Sequence, residues 1–283
     1  MKSRRDPQAS SNGFAIGVLS GSGGCGTSSI AANLAATFAK NHQKSVLFDL
    51  RLSTGDQSLL LDLQPGHSIA ELCGNLERLD ANMFQQCLLP HDSGIHLLAA
   101  PATFDMISSV TSQGVRQSLQ LARTLFPYVV MDLDRSFATE QLSAIVNSDL
   151  LLVVMRLDLV SLCNTNRVLN HLDDLGISSE RIRVVVNRFR QPRELPQQKA
   201  KQALGTDVFH FLPDDPAGMN LATNSGVPIV LQRPRSKIAR GFVQLAHKLE
   251  EACRAGISAA RLPMRDVTSE RPMSVFENTE TTT

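Results

Sequence analysis

Short apolar runs alternate with longer stretches of helical periodicity along nearly the whole of this chain, and that alternation admits few folds. Phe14–Ser20 (FAIGVLS), Ser45–Leu50 (SVLFDL), Tyr128–Leu133 (YVVMDL) and Leu150–Met155 (LLLVVM) read as strands, as do residues 95–99, 183–187 and 208–212. Helices are predicted over residues 27–40, about 114–125, from about 138, about 159–175 and 236 to about 255. Strands that are apolar throughout must be covered on both faces, so the pattern predicts βαβ units in an α/β fold. The expected architecture is three-layered, a mostly parallel twisted sheet with helices on both faces and right-handed crossovers. With 42% hydrophobic but only 5% aromatic residues, its core is built from Leu, Val, Ile and Ala.

A length of 283 residues suits one large domain with short extensions. The reading is a basic N-terminal arm at 1–13, a domain at 14–260 and a tail at 261–283, polar, rich in Ser and Thr, and expected to be disordered. A docking peptide anchored by Val275 and Phe276 is the alternative for the tail. Lys and Arg number 28 against 27 Asp and Glu, a net charge of +1, which argues against a protein that coats nucleic acid. The five cysteines are scattered, with no C-x-x-C pair and no histidine at metal spacing, so neither a disulfide framework nor a zinc site is expected. No stretch approaches the roughly 18 apolar residues of a membrane span, and the polar start is not a signal sequence. The expectation is a cytoplasmic protein.

Residues 20–30, SGSGGCGTSSI, lie directly between the first strand and the first helix. Glycines there let the backbone turn tightly and aim its N–H groups inward, and the helix N-terminus behind them adds partial positive charge, which together make an anion cradle. The full phosphate loop ends in G-K-[ST], whereas here Gly26-Thr27-Ser28 stands, with no lysine in the loop. As a bare pattern the run is only moderately specific, the alternative being a turn that merely lets strand and helix pack. Polar residues nevertheless collect at the carboxyl ends of the predicted strands, where open parallel sheets bind ligands: Asp49, Asp132, Arg156, Asn187 and Asp214.

Residues 22–29, Ser22-Gly23-Gly24-Cys25-Gly26-Thr27-Ser28-Ser29, resemble the deviant phosphate loop K-G-G-x-G-K-[ST]-[ST] of the MinD/ParA family of P-loop ATPases. Both family lysines are replaced, by Ser22 and Thr27. Within that superfamily, FDLRLSTGDQSLLLDLQPGHSIAEL, HLLAAP, YVVMDLDRSF, RVVVNRF and GVPIVLQRPRSKIARGFVQLA are similar to the CpaE/TadZ branch, pilus-assembly proteins of the Tad (Flp) system whose members commonly carry an atypical loop. Many proteins of that branch begin with a receiver-like domain, and none is expected within these 283 residues.

The resemblance implies ATP and Mg²⁺ as ligands. The N–H groups of residues 23–28 would hold phosphates and Ser28 would ligate the metal. Asp49 would orient the attacking water, and Asp132, preferred over Asp134, would reach Mg²⁺ through water. Asn187 would read adenine, with Pro213 and Asp214 in the adjoining loop. Each missing charge-assisted contact is expected to weaken binding by about 1.5–3 kcal/mol, and loss of cationic stabilisation to slow phosphoryl transfer by roughly 10³–10⁵. The expectation is therefore an ATP binder with slow or absent hydrolysis, with Arg51 or Arg156 as a substitute cation. Cys25, in the variable position, reads as filler rather than a redox switch.

By the same resemblance, the function is a homodimeric localisation and assembly factor for pilus secretion machinery, at a cell pole or reaching the inner membrane only through partner proteins. The alternatives are a ParA-like partitioning ATPase binding DNA non-specifically and a MinD-like spatial regulator. Near-zero net charge and few aromatic residues weigh against nucleic acid, and a Ser/Thr-rich end weighs against a membrane-binding helix. An enzyme of the wider fold, such as a nitrogenase-like reductase or an amidoligase, is a further alternative; the reductase would need cysteines placed to bridge a cluster, and Cys87 and Cys163 lack that spacing.

Overall fold

The computed structural model describes residues 12–257. In chain order its elements are β1 (Phe14–Ser20), α1 (Thr27–His42), β2 (Ser45–Leu50), α2 (Gln57–Leu60), α3 (Ile69–Cys73), α4 (Ala81–Gln86), β3 (Leu89–Pro90) and β4 (Ile95–Leu98). There follow α5 (Ser112–Leu125), β5 (Tyr128–Leu133), α6 (Thr139–Val146), β6 (Leu150–Met155), α7 (Leu159–Asp174), β7 (Ile182–Phe189), α8 (Gln197–Leu204), β8 (Val208–Pro213), α9 (Pro216–Asn224), α10 (Ile229–Gln232) and α11 (Lys237–Ile257). The strands form one sheet in the order β3-β4-β2-β5-β1-β6-β7-β8, parallel throughout except for the β3 edge. This is the three-layered α/β architecture that the apolar runs predict. The 261–283 tail, including Val275 and Phe276, and most of the 1–13 arm lie outside the described residues.

The four central strands β2, β5, β1 and β6 are buried almost end to end. Alternate residues feed opposite layers: Val130, Leu150 and Leu152 pack with α1 and α11, while Val129, Met131, Leu151 and Val153 pack with α5 and α6 on the other face. That is the period-2 geometry of a strand covered on both sides. Because β1 lies between β5 and β6, the turn leaving it opens at the middle of the sheet's carboxyl edge. The β2–β5 register sets Asp49 beside Asp132 and Leu50 beside Leu133, so the chain segments that follow both strands emerge together at this edge.

Residues 51–94 carry structure that the sequence pattern does not predict: three helices of four to six residues and the two-residue strand β3. None is long enough to show a hydrophobic period. They are fixed instead by local caps and packing, as in α3, where Ser68 and Glu71 form a reciprocal capping box.

The start of β6 is tied to β1 by Asp149. Its carboxylate accepts the Ala15 N–H at 2.8 Å and pairs with Arg123, and its own N–H donates to the Ala15 carbonyl. Asp149→Ala is expected to lower the unfolding free energy by about 1–3 kcal/mol, because it strands the buried Ala15 N–H and the Arg123 guanidinium. Urea denaturation measures the loss, and Asp149→Asn, which keeps an acceptor, should recover part of it.

Candidate functional site

The turn between β1 and α1 is held open by two left-handed glycines, Gly24 (φ 71°) and Gly26 (φ 89°). A side chain is costly at such angles, and at Gly26 a Cβ would also stand 2.4 Å from the Asn187 amide nitrogen. The turn is clamped from both flanks. On one side Asn187, leaving β7, donates from Nδ2 to the Cys25 carbonyl at 2.8 Å. On the other, Gly21 lies so close to α7 that a Cβ would meet the Asn164 backbone at 2.5 Å, and Asn164 donates to the Ser22 hydroxyl at 3.0 Å. Cys25 is buried, its Sγ 3.5 Å from the Ser161 hydroxyl, as suits a filler.

The turn borders two cavities. The larger, about 380 Å³, is walled by Ser22, Gly23, Gly24, Gly26, Thr27, Ser28 and Ser29, with Arg51, Asp56 and Arg135 from the β2 and β5 ends. The smaller, about 230 Å³, shares Gly26 and Ser29 with the first and continues along Asn187, Arg188, Pro213, Asp214 and Asp215. The predicted adenine-side trio of Asn187, Pro213 and Asp214 is thus brought together beside the loop. Asn187 is partly engaged, because its Oδ1 accepts the Arg188 N–H and one amide hydrogen holds Cys25. One donor and one acceptor site remain on the amide for a ligand. Arg188, which lines this cavity, adopts a positive φ of 54°.

Asp49 and Asp132 lie beneath the loop rather than on the cavity walls, 1% and 0% exposed. Asp49 accepts backbone N–H groups from Arg51 at 3.2 Å and Gln57 at 2.9 Å, so its carboxylate anchors the segment after β2. Gln57, fully buried, has no forerunner in the sequence analysis. Its Nε2 donates to Asp132 Oδ2 at 2.7 Å and to the Ser28 carbonyl at 3.0 Å, which joins α1 to β5. The opposite oxygens, Asp132 Oδ1 and Gln57 Oε1, are buried without a partner among the described residues. Asp134 is less buried and accepts its neighbour's N–H.

Arg156 directly follows β6 and stands beside Asp158. Its guanidinium pairs with Asp158 at 3.1 Å, and it lines neither cavity, so the structure does not place it as a substitute cation. Arg51 does line the larger cavity, and so does Arg135, which the sequence analysis did not single out.

Burial is the largest influence on both carboxyls and pushes each above the usual carboxylate range. Asp132 raises Asp49 further, whereas Ser28, Gln57 and Arg51 oppose the rise of Asp132. Folded Asp49 and Asp132 therefore hold protons that the unfolded chain releases near 3.8. The stability they contribute is full below that value and is lost as pH rises through about 6 and about 8. In metal-free, nucleotide-free buffer the unfolding free energy should fall between pH 5 and 8, and Asp49→Asn should flatten the slope. A second expectation concerns Gln57→Leu, which removes the only side-chain amide on Asp132: a loss of about 1–3 kcal/mol by urea denaturation.

A family model described as the CobQ/CobB/MinD/ParA nucleotide binding domain matches residues 16–228. The septum site-determining protein MinD of Thermotoga maritima is 27% identical over 247 residues, 84% of this chain and 88% of that protein. Among solved structures, a ParA family ATPase from Chlorobium tepidum superposes with a TM-score of 0.79 at 22% identity, covering 83% of this chain and 98% of the other. The septum site-determining protein MinD of Pyrococcus horikoshii, complexed with Mg-ADP, superposes at 0.74 with 21% identity over 87% and 98% of the two chains.

Proposed function

From the premise that this chain belongs to the CobQ/CobB/MinD/ParA nucleotide-binding family, we propose that it is an Mg·ATP-binding, dimerising assembly factor that turns its nucleotide over slowly or not at all. The observation that carries this reading is the pair of cavities joined across one glycine turn. One is lined by loop residues and arginines, the other by Asn187, Pro213 and Asp214. A phosphate chain and a base require that division of chemistry.

The donor set fits a magnesium nucleotide. Residues 23–28 present a turn ending on a helix N-terminus, where phosphate oxygens are favoured. The Ser28 hydroxyl would ligate the metal, and the unpartnered oxygen of Asp132, buried beneath the turn, would reach a metal-bound water only if the turn above it shifts. Bound magnesium would supply charge stabilisation at the phosphate oxygens. On the protein side, Gln57 holds Asp132 in place and the Asn187 clamp fixes the loop before ligand arrives. Asp49 anchors the β2 exit, and the role of water activator that the resemblance gives it requires that segment to move. The loop holds no lysine and Asp49 is turned inward, and both features support slow turnover.

The partner class follows from the resemblance of the loop and rim segments to the CpaE/TadZ branch: pilus secretion machinery of the Tad type, with the membrane reached through those partners. A MinD-like regulator of another machine is the second reading, favoured by the named MinD relative. No helix among the described residues is long and apolar enough to cross a membrane.

Calorimetry with Mg·ATP, light-scattering mass and phosphate release on one sample test the first part. The expected result is binding, a doubling of mass and little released phosphate. Absence of binding at millimolar ATP would overturn it. Co-purification with Tad assembly proteins rather than septum-site proteins tests the second.

A further inference from the structure

Arg51 and Arg135 face the larger cavity from two neighbouring strands. The β2–β5 register pairs Leu50 with Leu133, so Arg51 lies one residue beyond the first and Arg135 two beyond the second. Both line the cavity, and an Arg135 Nη1 approaches within 3.9 Å of the position a Cβ would take on Gly23. One buried side chain roots both. Gln141 donates from Nε2 to the Leu50 carbonyl at 2.6 Å and accepts the Asp134 N–H at 3.0 Å, fixing the backbone just ahead of each arginine.

Neither guanidinium is spent elsewhere. Arg51 makes only a 3.4 Å hydrogen bond to the Thr54 hydroxyl, and Arg135 uses only its backbone N–H, toward Asp134. Neither forms an ion pair among the described residues, in contrast to Arg156 and Arg123. Two uncommitted guanidinium groups beside a glycine turn that holds no lysine are suited to bidentate contact with phosphate oxygens.

We propose that Arg51 and Arg135 together form a phosphate clamp in this chain, contributed by one protomer, that supplies the positive charge the loop itself lacks. The inference rests on reading the larger cavity as the phosphate end of a nucleotide site. It deepens that reading by naming the cations, Arg135 foremost. Such a clamp holds the phosphate chain from the β2–β5 side, opposite the α7 side to which the Ser22 hydroxyl is tied. Affinity is restored without a cation at either lysine position of the loop.

The test is calorimetric titration of the full chain with Mg·ATP and, separately, with inorganic pyrophosphate, for wild type, Arg51→Ala, Arg135→Ala, the double variant and Arg135→Lys. Each alanine should weaken both ligands about ten- to a hundredfold, and the double variant more. The lysine variant, which keeps the charge but not the planar fork, should bind more tightly than Arg135→Ala and more weakly than wild type, and the salt dependence of binding should shrink in the double variant. The melting temperature of Arg135→Ala should stay at the wild-type value, since that guanidinium makes no ion pair or hydrogen bond among the described residues. Alanine variants that bind both ligands like wild type would overturn the clamp while leaving the nucleotide reading intact. Wild type that binds pyrophosphate through the arginines but not Mg·ATP would sustain the clamp and overturn the proposed function. Wild type that binds neither would overturn both.

Discussion

The hydrogen bond from Asn187 to the Cys25 carbonyl is the contact on which the rim depends. A glycine turn alone would sample many shapes, since glycine loses more freedom on ordering than any other residue. Here the turn is gripped by β7 on one flank and packed against α7 on the other, so its shape is set by strand positions buried in the sheet. The same bond holds Asn187 in the wall of the smaller cavity. One side chain thus shapes the glycine turn and borders the neighbouring cavity.

Charge is arranged in two tiers. Asp49 and Asp132 lie below the turn, out of solvent, and burial holds both toward the protonated form. Above them, at the cavity wall, stand Arg51 and Arg135, with Asp56 as the acid among them. Gln57 joins the lower tier to α1, because its backbone N–H meets Asp49 while its amide meets Asp132 and the carbonyl of Ser28 in the first turn of α1.

The sheet was legible because its central strands are continuous apolar runs, which only double-sided cover explains, and their bounds at β1, β2, β5 and β6 coincide with the runs themselves. The glycine loop and the Asn187, Pro213 and Asp214 group were legible because their place follows from strand ends. What escaped were side chains whose roles arise from register rather than local pattern. Gln57 is an ordinary residue in an irregular stretch until the chain turns it under the loop. Arg135 gains meaning only because β5 lies next to β2, and the same order leaves Arg156 beyond β6, beside its own Asp158. The short helices of residues 51–94 have no period to detect.

The central claim is that the glycine turn and the two cavities flanking it are one nucleotide site. Hydrogen–deuterium exchange of the full chain with and without Mg·ATP tests it most directly. The account predicts slowed exchange at residues 22–29, 51–57 and 187–189 and at 213–216 together, with the β3–β4 edge unchanged. Unaltered exchange across the glycine turn at saturating Mg·ATP, or protection confined to a surface away from it, would contradict the account.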